Sequence, residues 1–324
     1  MSAKLKWAVL SVAALSGVSI SQKAQVFGAE PERITVGSRP IADFIPVFIC
    51  ISEKICEKHG VRLELKSLEA NSAEIAAALQ GGSIDAGLMA VTNVFQARAQ
   101  GFDMQIVATT SVESERNPTG PNNGILVKDP AIKTGKDLEG KTVGTLALKS
   151  GGQAWSMAWV DKTGGDPSKV KWVEMPMPQL PRAVADGRLA AAQVTEPFRT
   201  IGMEIGLKSI PYSIELKPAG IAIGVIAVRE NVLKTRSAAF GAFLKALEES
   251  ANMANADQKL AKQSLKANSK MDPAMVDRIN LQYYSPAVSR ENLEFWKGSM
   301  NKYFDANLAF DVSTAVWSGA IFEK

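Results

Sequence analysis

The stretch Thr142–Trp155, TVGTLALKSGGQAW, continues an apolar strand at Lys141 to Gly144 through a turn and a Gly-Gly pair into the first turn of a helix. The first N–H groups of a helix have no acceptor inside it, so this start presents donors and partial positive charge beyond the strand end. A similar unit occurs earlier. Ile34–Ser38, ITVGS, opens a strand, loop and helix that end at Gly60, as the later copy ends at Gly164-Gly165. Each copy continues alike: ALQGGSIDAG (Ala78–Gly87) and AVADGRLAAA (Ala183–Ala192) both read as a helix end, a glycine turn and a short apolar strand. Two copies predict two lobes.

The 324 residues are 46% hydrophobic and 22% charged, a globular balance with enough chain for two domains. Of the formal net charge of +4, three positive charges are Lys4, Lys6 and Lys23, which precede the first acidic residue, Glu30. The remaining +1 excludes the clustered basic surface that nucleic acid or an anionic membrane requires. Lys4 and Lys6, the apolar run Trp7 to Ile20 and small residues near Gly28-Ala29 predict a cleaved secretory signal over residues 1–29, and hence a periplasmic protein. The run is shorter than the ~20 apolar residues of a spanning helix.

One helix is expected from Pro46 to about His59. A straight helix would hold Cys50 and Cys56 farther apart than the ~7 Å a disulfide allows between Cα atoms, so both are expected as free thiols. The lone histidine, His59, suits a helix end, where its charge complements the dipole. Strands are expected at Arg33–Gly37, Val61–Leu68, Ile84–Met89, Met104–Thr109, Gly124–Val127, Val170–Glu174, Leu189–Val194 and Ile221–Val228. Asn71, then Thr92 or Asn93, then Ser150 and Thr195 are the expected helix caps. The Pro- and Gly-rich run from Val112 to Asn123 suits a linker or a lobe crossing. Helices are expected at Arg236–Asn255, Gln258–Ala267, Pro273–Tyr283 and Glu291–Phe304, with Phe240, Phe243, Leu244 and Leu247 as a core stripe. The alternation predicts an α/β fold of doubly wound, mainly parallel sheets with sites outside the carboxyl ends of the strands.

In this order and spacing, ITVGS with Pro46, ALQGGSIDAG, QARAQG (Gln96–Gly101), ILVKDPAIKTGKDLEGKTVGT, DGRLAAA, TEPF (Thr195–Phe198) and GVIAVREN resemble the periplasmic solute-binding proteins of ABC importers. The similarity is to the branch that takes up nitrate, sulfonates, taurine or thiamine-pyrimidine precursors. It implies a type II two-lobed fold with two hinge crossings, lobe one at 32–120 and 224–324 and lobe two at 121–223. It also implies a monomer that delivers a small molecule to an inner-membrane permease, with no cofactor and no catalysis. The ligand-facing positions it implies include Ile41, Ala42, Asp43 and Phe44, then Val91, Thr92, Thr109 and Thr110. In the second lobe they are Ser150, Gly151, Gly152 and Gln153, then Gln193, Thr195 and Glu196. Trp155 suits either the cleft wall or the core. Ala190 departs from the pattern, standing where the family often has an acid that Asp85 supplies in the first copy; a local stability effect is expected.

An enzyme similar to the thiamine-pyrimidine synthases is the alternative, but the cysteine-rich motif and histidine chemistry that resemblance would bring are missing from a chain with two cysteines and one histidine. No metal-ligand spacing occurs. Asp43 and Glu196 suggest either a carboxylate pair or separate capping and orienting roles. An effector domain of a transcription regulator would need a DNA-binding helix pair where this chain has its leader. The pocket chemistry predicts a small organic ligand. One end would be anionic or strongly hydrogen-bond-accepting, held at Ser150–Gln153, and a compact apolar or planar body would lie against Ile41, Phe44 and Trp155. Arg39 and Lys149 form no cluster suited to a doubly charged anion.

Overall fold

Beta-branched Ile34, Thr35 and Val36 open the first strand of the computed structural model, which describes residues 30–38, 41–67, 72–211, 220–222 and 224–323. The leader, Arg39, Pro40 and the expected cap Asn71 lie outside the described residues. The first half comprises β1 (Glu32–Ser38), α1 (Ile45–Ser52), α2 (Ile55–Lys58), β2 (Val61–Ser67), α3 (Ser72–Gln80), β3 (Ala86–Ala90), α4 (Val91–Ala99) and β4 (Met104–Thr109). A short β5 (Ser111–Glu113) leads to β6 (Asn123–Val127), β7 (Thr142–Thr145), α5 (Gly151–Lys162), β8 (Lys171–Glu174), α6 (Leu180–Ala185), β9 (Ala191–Thr195), α7 (Phe198–Glu204) and β10 (Lys208–Ile210). The chain returns through β11 (Ile221–Ala222) and β12 (Gly224–Arg229). It ends with α8 (Glu230–Ala256), α9 (Gln258–Asn268), α10 (Pro273–Arg278), β13 (Tyr283–Tyr284) and α11 (Arg290–Phe304).

Two five-stranded sheets result, ordered β2-β1-β3-β12-β4 and β10-β6-β9-β7-β8, with a three-stranded sheet β11-β5-β13 at the crossings. In each large sheet one strand runs against the other four: β12 in the first and β6 in the second. Both are strands that follow a crossing, so each comes in from the other sheet's side. The two copies share a register. Val36 and Gly37 pair with Ala86 and Gly87, and Val143 and Gly144 pair with Ala191 and Ala192. Even the preceding turn repeats, with Asp85 N donating to Thr35 O at 2.8 Å and Ala190 N to Thr142 O at 3.0 Å. Phe240, Phe243, Leu244 and Leu247 of α8 are buried in one core with Ile34, Val36 and α1, each large side chain contributing roughly 1.5–3 kcal/mol.

Several elements depart from expectation. The helix through the cysteines is two helices, because Lys54 takes a left-handed conformation (φ 55°) and folds α2 back beside α1. Cys50 and Cys56 are then 5.2 Å apart at Cα and form a buried disulfide, not free thiols. The straight-helix distance fails because the helix is not straight. The apolar run at 221–228 belongs to two sheets, since β11 pairs with β5 while β12 enters the first large sheet. The helix expected to reach Tyr283 stops at Arg278, where Ile279 becomes extended and β13 pairs with β5. Helix α4 starts at Val91 from Ala90 with no side-chain cap, so Thr92 and Asn93 lie inside its first turn. Thr195 closes β9, and α7 starts only at Phe198. His59 has a structural role, its Nε2 lying 2.8 Å from Glu249 Oε2 on α8.

Candidate functional site

The carboxyl ends of β3, β4, β7 and β9 carry the Ala90–Thr92, Thr109–Ser111, Ser150–Gln153 and Gln193–Glu196 segments. The start of α5 is built by two side chains. Ser150 caps it, its Oγ accepting from Gln153 N at 3.3 Å, and the Gln153 carboxamide turns back to accept from Lys149 N at 2.6 Å. This arrangement resembles a capping box displaced by one residue, and it holds Lys149 in a left-handed conformation (φ 57°). Helix geometry leaves the N–H groups of Gly151 and Gly152 without an acceptor inside α5. Gly152 is the one whose missing Cβ a close approach requires. A Cβ on Gly151 would lie 3.4 Å from Thr92 Oγ1 and 3.6 Å from Trp296 Cη2, so the starts of α4 and α5 face each other beside a tryptophan. A Cβ on Gly152 would lie 2.6 Å from Gln193 Oε1, a position the Gln193 side chain can occupy only because the glycine leaves it empty. Gln193 Oε1 also accepts from Thr145 Oγ1 at 3.4 Å.

A second polar group lies on the first sheet. Ser111 Oγ donates to Asp43 Oδ1 at 2.6 Å, and a Cβ on Gly224 would meet Thr110 Oγ1 at 2.8 Å and Asp43 Cβ at 3.9 Å. The fully buried Tyr284 hydroxyl is pushed well above its usual range, first by burial and then by the charge of Asp43. Glu196 is anchored elsewhere. It accepts from Thr200 N at 3.0 Å, pairs with Arg199 at 3.5 Å, and has its carboxyl raised by burial against these and an Asn280 N–H contact. It therefore serves the start of α7 and the crossing, with Thr195 Oγ1 donating to its carbonyl at 3.3 Å.

The positions expected to face a ligand thus divide. Thr92, Gly151, Gly152 and Gln193 come together, with Ser150 and Gln153 shaping the helix start; Asp43 and Thr110 form the neighbouring group. Thr109 is occupied as a fastener, its Oγ1 lying 2.5 Å from Ser285 O and 2.8 Å from Ala287 O. Phe44 is a core residue against Phe48, with ring centroids 5.6 Å apart. Ile41 and Ala42 pack on that core, Val91 is buried, and Trp155 is buried edge-to-face against Trp296 at 6.3 Å. Sequence reasoning missed Trp296 and Thr145. Trp296 sits in the amphipathic α11, more than a hundred residues from Thr92, Gly151, Gly152 and Gln193, and nothing local distinguishes it from a core tryptophan. Its Nε1 donates to Ala222 O at 2.9 Å, which orients the ring toward Gly151.

The model of the NMT1-like family matches residues 28–267. The chain belongs to this family. The fold has many solved counterparts. One is the periplasmic aliphatic sulphonate binding protein SsuA from Escherichia coli, at 15% identity over 89% of this chain and 98% of that one, with a TM-score of 0.72. Another is a ligand-binding component of an ABC-type import system from Staphylococcus aureus, at 16% identity over 90% and 96%, with a TM-score of 0.70. The periplasmic nitrate-binding protein NrtA from Synechocystis PCC 6803 is similar at 15% identity over 88% and 85%, with a TM-score of 0.68. At these identities the likeness establishes the two-lobed periplasmic binding protein fold. No curated protein sequence matches the chain. Among the described residues no helix is long and apolar enough to cross a membrane.

Proposed function

We propose that this chain is the extracytoplasmic substrate-binding component of an ABC importer, capturing a small organic solute between two closing lobes, 32–120 with 224–324 and 121–223. It acts as a monomer, is exported by its leader to the periplasm, hands the solute to an inner-membrane permease and performs no chemistry on it. The observation that carries this reading is the start of α5: a capped helix end with the Gly151 and Gly152 donors, facing Thr92 and Trp296 across the two sheets. Oriented N–H groups and the helix dipole favour a single negative charge or a strong acceptor, and the tryptophan favours an organic body. The sulphonate-binding solved protein of this fold agrees with such a ligand, and the nitrate-binding one agrees with its anionic end.

Calorimetry with a panel of sulfonates, carboxylates, nitrate, taurine and pyrimidines tests it. The tightest ligand should carry one anionic or accepting end, and Gly152→Pro, which deletes a donor and blocks backbone approach, should weaken it by at least about ten-fold. A polycation or bare metal ion as tightest ligand, or undiminished binding by folded Gly152→Pro, would sink the proposal.

A further inference from the structure

Helix α11 reaches from the return crossing to the far end of α5. Its N-terminal half is fastened at the crossing, where Asn292 Nδ2 donates to Gly220 O at 3.2 Å and Trp296 Nε1 to Ala222 O. The segments on either side of it are fastened to the first sheet. Thr109 N donates to Pro286 O at 3.1 Å, and Trp317 N to Ile106 O at 2.9 Å. A helix held at both flanks by β4 moves with that sheet. Ten residues beyond Asn292, about 15 Å along the axis, Lys302 and Tyr303 reach across to α5. Lys302 Nζ lies 2.5 Å from Asp161 Oδ2, and Tyr303 Oη donates to the same oxygen at 3.0 Å. The Lys302 hydrogen bond, more than any other contact, holds the Asp161 carboxyl below its usual range.

The seam between these helices is part buried core and part open groove. Trp155 and Trp296 touch edge-to-face, but farther along a groove of about 360 Å³ opens between Ala158, Asp161, Phe295, Ser299 and Lys302. The tryptophan contact belongs to a close-packed core shared by both helices, and the polar pair at the rim of the groove adds to the closure that this packed part provides. We propose that Asp161, Lys302 and Tyr303 form a clasp outside the cleft that holds the lobes shut before any ligand arrives, positioning the site without touching the ligand. The proposal rests on the two-lobe reading above. A half-exposed ion pair of this kind shifts the closed-to-open ratio about two- to five-fold.

Position along the lever is decisive. A second ion pair, Arg278 Nε to Glu204 Oε1 at 2.8 Å, also joins the two halves, but it sits beside the crossing. Asn280, two residues on, exchanges hydrogen bonds with Pro121 O and with the Asn122 side chain there, each at 3.0 Å. A contact close to a hinge changes little in length as the lobes swing.

Solution scattering from the ligand-free protein decides the matter. Asp161→Asn and Lys302→Met should each enlarge the radius of gyration and remove the expansion that high salt causes in the wild type; the charge swap Asp161→Lys with Lys302→Asp should restore compaction. Arg278→Met should scatter as wild type. The clasp is refuted if the Asp161 and Lys302 variants match wild type at both salt concentrations, or if Arg278→Met opens the protein equally. Gly151→Trp, or Thr92→Trp from the facing helix, tests the lobe reading separately by wedging the cleft. Expansion by a wedge with no effect of the clasp variants refutes the clasp alone, and a folded wedge variant with an unchanged profile refutes both.

Discussion

The first and second copies of the strand–loop–helix unit share a strand register and differ in how the helix is held. In the first, the helix breaks at Lys54, is joined across the break by Cys50–Cys56, and ends on Gly60, whose absent side chain would face open space. In the second, α5 is unbroken and seated by glycines. A Cβ on Gly135 would lie 2.3 Å from Val160 Cα, and one on Gly165 2.5 Å from the Gly135 carbonyl. The turns before β3 and β9 differ as well. Asp85 returns a carboxylate to Thr35 N at 2.8 Å and pairs with Arg236 at 2.9 Å, while Ala190 makes only the backbone half of the same turn. The sheet hydrogen bonds fix the path, and a helix needs only some attachment to it, covalent in one copy and by backbone contact in the other.

The largest contrast should come from the two terminal glycines. Gly165→Ala drives a Cβ into backbone that cannot rotate away and should cost about 3 kcal/mol, while Gly60→Ala, strained only by its φ of 83°, should cost about 1 kcal/mol. Urea unfolding of both variants measures this, and equal costs would break the comparison. Replacing Cys50 and Cys56 together by alanine, or reducing the wild type, should remove about 2 kcal/mol for so short a loop. Thermal unfolding with and without reductant reads that loss, and alkylation of the unreduced, unfolded protein should find no free thiol.

Asp85→Ala should cost about 1–2 kcal/mol, and Ala190→Asp, which supplies the missing carboxylate opposite Thr142, should change stability by less than about 1 kcal/mol. If Ala190→Asp is as damaging as Asp85→Ala, the two turns are not equivalent. The smallest effect concerns Glu196, which by strand register stands where the first copy has Val91. Burial raises its carboxyl above the ordinary 4.5, so the folded state holds the proton more tightly than the unfolded chain. Its stabilising effect is complete below 4.5 and is lost as pH rises through the raised value. Glu196→Gln should flatten that slope in urea midpoints measured upward from pH 4.5; an unchanged slope would show that Glu196 is not its source.

The cap at Ser150 and the facing strand ends were legible because each depends on neighbours within a few residues: a hydroxyl before a helix, glycines after a strand, an apolar run of strand length. The break at Lys54 was not, because no glycine or proline marks it and the turn is held by packing of α2 and by the disulfide. Phe44 looked like a pocket wall because a loop phenylalanine before a proline has no periodic pattern to assign it; contact with Phe48 puts it in the core.

From its own order of residues, then, this chain determines two repeated α/β units, the donor-rich start of α5 and the strand ends at which a site can form, since all of these follow from periodicity and local hydrogen bonding. Which of those residues meet is decided only by the tertiary structure. Trp296 against Gly151, Gln193 across Gly152 and Lys302 on Asp161 each join groups separated by dozens of residues or more. No local propensity encodes such a contact; it exists because two sheets and the helix α11 are packed at one particular spacing, and only the packed molecule has that spacing.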